Sequence, residues 1–265
     1  MKRLTIYILL APFFLLSCKK TKSQPEKKYQ LAWSDEFNYT GLPDSSKWNY
    51  DVGGDGWGNN ELEYYTSKRL ENARVENGNL IIEARKEAFN GMHYTSARLV
   101  TNNKAAWQYG RIEVKAKIPK GRGTWPAIWM MAENIKVWPD DGEIDIMEHV
   151  GYNQGVIHGT VHCKKYNHTI NTQKGDTIRV HDCSDAFHVY AMEWDKDSIL
   201  ISVDDKTYFS FINEHSGYDA WPFDNKMFLL LNIAVGGNWG GSKGVDETIF
   251  PVRMEVDYVR VYQEK

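Results

Sequence analysis

Polar and apolar residues alternate at period two through several segments of this chain. Arg111 to Ile118 keeps the alternation throughout, and Met254 to Tyr262 keeps it in part. Ser198 to Val203 and Thr207 to Ile212 flank Asp204-Asp205-Lys206, which predicts a hairpin. Phe228 to Val235 is apolar apart from Asn232, which predicts a strand covered on both faces. No long stretch shows helical periodicity. Many short strands punctuated by Gly, Pro and Asn predict an all-β fold, a two-sheet antiparallel β-sandwich. No internal repeat or second domain is visible.

One strand-like segment breaks the apolar pattern with acids. Glu143-Ile144-Asp145-Ile146-Met147-Glu148 carries three carboxylates, with Gly142 and Gly151 on either side. Side chains alternate faces along a strand, so Glu143 and Asp145 share a side, and strict alternation sends Glu148 to the other. A β-bulge at Ile146-Met147 would return Glu148 to the face of Glu143. Carboxylates crowded in a partly desolvated site cannot all ionise, so one keeps its proton near neutral pH. A neutral acid beside an ionised carboxylate is equipment for cleaving a glycosidic bond. Retention requires the pair roughly 5–5.5 Å apart and inversion roughly 6.5–9.5 Å, and Glu side chains on one strand suit the shorter distance. Taken alone, the run also fits a solvated acidic edge strand. No His or Cys lies at a spacing along the chain that completes a metal site with it.

Aromatic residues in loop-like contexts add weight to the sugar reading. Trp57 lies in Gly56-Trp57-Gly58-Asn59-Asn60-Glu61, Trp125 in Gly123-Thr124-Trp125-Pro126, and Trp239 in Gly237-Asn238-Trp239-Gly240-Gly241. Trp129 follows closely. Indoles cover the apolar faces of sugars while a few polar groups set specificity. Asn60, Glu61 and Arg98 are candidates for gripping hydroxyls. Each of these residues alone also fits core packing or a loop. His158 and His162 are four apart; on a strand that is roughly 13 Å, too far to share one ion easily.

These segments together resemble glycoside hydrolase family 16, and within it the laminarinases (endo-1,3-β-glucanases). Trp33 to Phe37, Trp57 to Leu62, Tyr109 to Glu113, Trp125 to Met130, Gly142 to Gly151, His158 to His162 and Phe187 to Trp194 match in family order. The resemblance implies a jelly roll with an open cleft, suited to internal attack on long chains. It implies Glu143 as nucleophile, Glu148 as acid/base, Asp145 as the residue tuning the nucleophile, and His162 near the acid/base. The bulge is typical of laminarinases, agarases and carrageenases, and typically missing from lichenases and xyloglucan-active members. The Asn-Asn-Glu, His-Gly-Thr-Val-His and Asn-Trp-Gly-Gly segments favour β-1,3-glucan; a sulfated galactan or mixed-linkage glucan is the alternative. No cofactor is implied for catalysis. Many members hold a structural Ca²⁺ through backbone carbonyls, and the matching positions here are Glu36, Gly78 and Asp257. A non-catalytic glucan-binding protein of the same fold, and a transglycosylase, are the other readings.

The N-terminus suggests export. Lys2-Arg3, an apolar run from Leu4 to Leu16, and Ser17-Cys18 have the layout of a secretion signal, and Leu15 to Cys18 resembles a bacterial lipobox. Residues 1–17 are expected to be a lipoprotein signal peptide, with Cys18 lipidated. Residues 18–28 read as a solvated tether, and 29–265 as one β-domain. The expected placement is an exported, membrane-anchored lipoprotein, periplasmic or on the surface of a bacterium, with that anchor as the sole membrane contact. The chain has 32 basic and 35 acidic residues, a net charge of −3. Losing Lys2 and Arg3 with the signal makes it −5. With no basic patch or RNA-binding aromatics, nucleic acid is excluded as a partner, and the protein is expected to be a monomer acting on neutral polysaccharide. Cys163 and Cys183 flank a polar loop, where a disulfide or two free thiols are both compatible with export.

Overall fold

A computed structural model describes residue 1 and residues 28–265. The export signal, Cys18 and most of the tether lie outside the described residues. The strands are β1 (Tyr29–Asp35), β2 (Asn49–Asp51), β3 (Glu63–Tyr65), β4 (Ala73–Glu76), β5 (Asn79–Phe89), β6 (Met92–Ser96), β7 (Arg98–Val100), β8 (Gly110–Lys117) and β9 (Thr124–Ala132). They continue as β10 (Glu143–Glu148), β11 (Val156–His162), β12 (Lys174–Arg179), β13 (His188–Trp194), β14 (Ser198–Val203), β15 (Lys206–Ile212), β16 (Met227–Val235) and β17 (Val252–Glu264). Short 3₁₀ turns cover His168–Ile170 and Glu247–Ile249.

The strands form the two sheets of a jelly-roll sandwich. One has the order β15-β14-β13-β8-β17-β5-β6-β3, with β1 added on β17 and β4 on β5. The other has the order β12-β11-β10-β9-β16-β7-β2. The period-two segments behave as expected: β8 alternates buried and half-exposed residues along its length, and every residue of β16 is buried. The β14–β15 turn is tighter than the sequence reading, with Lys206 already in the strand. Asp204 and Asp205 have φ of 49° and 60°, as a two-residue type I′ hairpin requires. β3 departs from the antiparallel expectation by running parallel to β6. It reaches that position through β4 and β5, a connection long enough for a parallel pair.

The core fills the space between the sheets. Ile112, Val114 and Ala116 from β8 and Ile144, Ile146 and Met147 from β10 belong to this one core, all fully buried. Removing each such aliphatic side chain from water is worth about 1.5–3 kcal/mol. Cys163 and Cys183 are both free thiols and both buried, so the disulfide option is not realised. The Cys163 thiol lies 3.6 Å from the Ala220 carbonyl, and the Cys183 sulfur is 3.8 Å from the Ser184 hydroxyl.

Candidate active site

The β10 bulge falls where the sequence predicts. Asp145 pairs with Trp129 on β9, and the next paired residue, Met147, meets Ile128. On the other side, Asp145 faces Thr160 of β11 and Glu148 faces His158. Ile146 and Met147 both enter the core, so two consecutive apolar side chains share one side and Glu148 returns to the concave face. Gly142 enters this strand at φ +90°, and a Cβ there would lie 2.9 Å from the Pro222 ring. The backbone leading to Glu143 therefore requires glycine.

Strand register lays the site out in rows across the concave sheet. One row runs Asp51, Arg98, Asn232, Ala127, Glu148, His158 across β2, β7, β16, β9, β10 and β11. The next contains Val100, Leu230, Trp129, Asp145 and Thr160, and a third Phe228, Met131, Glu143 and His162. Together with loop residues these rows line a cleft of about 390 Å³ that exposes Glu143, Asp145 and Glu148.

The two outer acids have different surroundings. Glu143 accepts the Trp138 indole N–H at 2.9 Å. His162 lies 3.4 Å from Asp145 and 4.0 Å from Glu143 through Nε2. The His168 ring sits 5.0 Å from Trp138 and 5.2 Å from His162, completing an aromatic wall. Glu148 accepts the Trp125 indole N–H at 3.0 Å. Trp125 packs edge-on against Trp239 at 5.4 Å, and Trp239 against His158 at 4.9 Å.

Burial raises the proton affinity of all three acids. Glu143 is pushed up to about 7, by burial first and the Asp145 charge second, while His162 and the Trp138 N–H pull it back. Asp145 is raised by burial. Glu148 is raised well above the carboxylate range by burial and by repulsion from Asp145. Burial first and His158 second lower the His149 pKa to about 4. Like charges this close share protons rather than all ionise.

The sequence-predicted residues divide into three groups. Trp57, Glu61, Arg98, Trp125 and Trp129 line the cleft with the three acids. The Arg98 guanidinium lies 4.7 Å from the Trp57 ring and 4.6 Å from the Trp129 ring, and pairs with Asp51 at 2.9 Å. Trp239 stands behind Trp125 and supports it. Asn60 is displaced from the cleft: its side chain bonds Asn238 at 2.8 Å and faces an adjoining open groove. His162 abuts Glu143 and Asp145, and it is His158 that faces Glu148 in register. Chain spacing had hidden a metal-capable group here. Ligand atoms of Glu143, Asp145 and His162 lie within 4.8 Å of one another, because strand pairing sets residues 19 apart directly opposite. Sequence reasoning missed Trp138, Asn59, Asn232 and His168. Trp138 precedes Pro139 much as Trp125 precedes Pro126, so that criterion would have found it.

The Ca²⁺ positions converge on another part of the fold. Asp257 is the extra residue of a bulge in β17, where Val256 still faces Leu80 and Val259 faces Asp35. Gly78 and Glu36 lie just beyond those partners. The carboxylates are committed elsewhere, Glu36 to Arg260 at 2.8 Å and Asp257 to Lys115 at 2.7 Å. Only backbone carbonyls at this irregular junction fit a hard cation.

Comparison with known proteins agrees with this geometry. The family model for glycosyl hydrolases family 16 matches residues 60–260. A β-glucanase of Rhodothermus marinus is 54% identical over 99% of this chain and 95% of its own. The crystal structure of the laminarinase from Rhodothermus marinus superposes with a TM-score of 0.89 at 56% identity, over 90% of this chain and 99% of that one. A variant of a non-specific endo-β-1,3(4)-glucanase, co-crystallised with 1,3-β-D-cellotriosyl-glucose, superposes with a TM-score of 0.87 at 52% identity, over 89% of this chain and 95% of that one. The acidic row, its bulged strand and the tryptophan-lined cleft thus belong to a glycoside hydrolase, and the chain is a member of glycosyl hydrolases family 16.

Proposed function

We propose that this chain cleaves internal β-1,3-glucosidic bonds of β-glucan with retention of configuration. The observation that carries this reading is the bulge, which brings Glu143 and Glu148 to one cleft in unlike environments. The Trp138 N–H and the His162 ring favour the charged form of Glu143, which acts as nucleophile. Repulsion from Asp145 helps Glu148 keep its proton, which it donates to the leaving oxygen. Glu143 then forms a bond to the anomeric carbon, and Glu148, now ionised, takes a proton from the water that releases the sugar. Asp145 shares the proton load and holds His162 in place.

The test is to incubate the purified protein with laminarin, lichenan, agarose and carrageenan and size the products. Lichenan is included because a similar structure is that of a non-specific endo-β-1,3(4)-glucanase. Laminarin oligosaccharides bearing new β-configured reducing ends by proton NMR are expected; an initial α product excludes retention. Glu148→Gln should cost about 10²–10⁴-fold on unactivated substrate. Glu143→Ala should abolish turnover while leaving glucan binding, and near-normal rates would overturn the nucleophile role. Longer products at high substrate concentration would reveal transglycosylation.

Two peripheral features complete the proposal. The tether ends in a lipid at Cys18, which metabolic labelling with a fatty acid tests. The Glu36, Gly78 and Asp257 carbonyls hold a structural Ca²⁺, and chelation should then lower the Tm.

A further inference from the structure

A second carboxyl pair lies in the cleft wall. Glu61 lines the cleft, whereas Glu63 is fully buried behind it. Glu63 Oε2 accepts the Val235 N–H at 2.6 Å, and Oε1 is buried with no hydrogen-bond partner among the described residues. The carboxyl beside it is that of Glu61. Two neighbouring carboxyls can satisfy one another only when one of them carries a proton.

A chain of donors decides which one. The Trp129 indole can only donate, and it donates to Asn232 Oδ1 at 2.8 Å. That orients the amide, so Asn232 Nδ2 donates to the Tyr65 hydroxyl at 3.0 Å. The hydroxyl then sends its own proton to Glu61 Oε2 at 3.1 Å. Asn59 Nδ2 adds a long contact to Glu61 Oε1 at 3.5 Å. The last two of these bonds end on Glu61 as acceptor, which leaves the proton on Glu63.

We propose that Glu63 stays protonated and donates to Glu61, fixing Glu61 as an acceptor-only positioning residue for the hydroxyls of an uncharged sugar. The inference rests on the β-glucan reading above and narrows its substrate class. A sulfate or carboxylate placed against Glu61 meets a fixed negative charge and no free donor. The nearby cation, Arg98, is already taken up by Asp51 and two indole faces. Around Glu63 the titratable and charged groups are Glu61 and Tyr65 on its own segment, Tyr94 opposite on β6 and Arg98 on β7. β16 packs against it through Val235 and Asn232 and carries no titratable residue. Burial, and then the Glu61 charge, raise the Glu63 pKa well above the carboxylate range.

The experiment measures kcat and KM on laminarin across pH. Glu61→Gln should raise KM about tenfold or more, with the loss in KM rather than kcat, since a hydrogen bond from a substrate hydroxyl to a charged acceptor is lost. Glu63→Leu should do the same, and Glu63→Gln should restore KM, because an amide can donate to Glu61 and accept from Val235. Wild-type KM should climb at alkaline pH as Glu63 loses its proton, whereas the Glu63→Gln profile stays flat. If Glu63→Gln is as impaired as Glu63→Leu, or if both enzymes share one pH profile, the proposal fails. Should circular dichroism show Glu63→Leu unfolded, the pH comparison decides. No turnover of laminarin by the wild type overturns both readings; turnover without these effects overturns the Glu61–Glu63 pair alone.

Discussion

At the scale of single residues, the chemistry turns on what each carboxyl touches. Trp138 donates to Glu143 and so favours its charged form. Trp138→Phe should lower kcat/KM about tenfold, the value of one hydrogen bond to a charged group. It should also move the acidic limb of the pH–rate profile upward, because Glu143 then holds its proton more tightly; an unmoved limb counts against this role. Stability should respond with a defined sign. Glu143 ionises near 4.5 when unfolded and near 7 when folded, so its contribution is complete below about pH 4.5 and lost as pH rises towards 7. The Tm of the free enzyme should therefore decline more steeply over that window than the Tm of Glu143→Gln. His149 acts in the opposite sense. Its depressed pKa makes stability fall as pH drops from 6.5 towards about 4, and comparing variant with wild type separates the two.

At the scale of elements, β10 is the decisive one. Deleting Ile146 would leave Glu143-Ile144-Asp145-Met147-Glu148, in which strict alternation without a bulge still places Glu148 on the face of Glu143. That deletion should lower the Tm through loss of a buried side chain yet leave turnover measurable, and complete loss of activity would count against this placement; Ile146→Val, which keeps the bulge, should retain activity and cost about 0.5–1.5 kcal/mol by denaturant unfolding. Legibility also varied by element. β8 and β16 were readable because burial on one face or both leaves a periodic or continuous apolar run. β12 was not: Lys174 to Arg179 is an exposed edge strand with only Ile178 half-buried, so its pairing with β11 leaves no alternation in the sequence. The same segment read simply as a polar loop between two cysteines.

At the scale of the whole molecule, two sheets enclose one core and leave one concave face for substrate. The free thiols belong to that core, so adding a reductant should leave the Tm unchanged. A drop on reduction would indicate a bridge.

The sequence by itself determined the all-β class, the bulged acidic strand and most of the tryptophans that line the cleft, because period-two patterning and loop chemistry are local properties of the chain. Tertiary structure alone decided the partners. It set His162 against Glu143 and Asp145, moved Asn60 out of the cleft, brought Trp138 onto Glu143 and joined Trp129 to Glu61 through Asn232 and Tyr65. Apart from Trp138, five residues from Glu143, these contacts join residues far apart along the chain, and only strand order and register bring such distant side chains within hydrogen-bond reach.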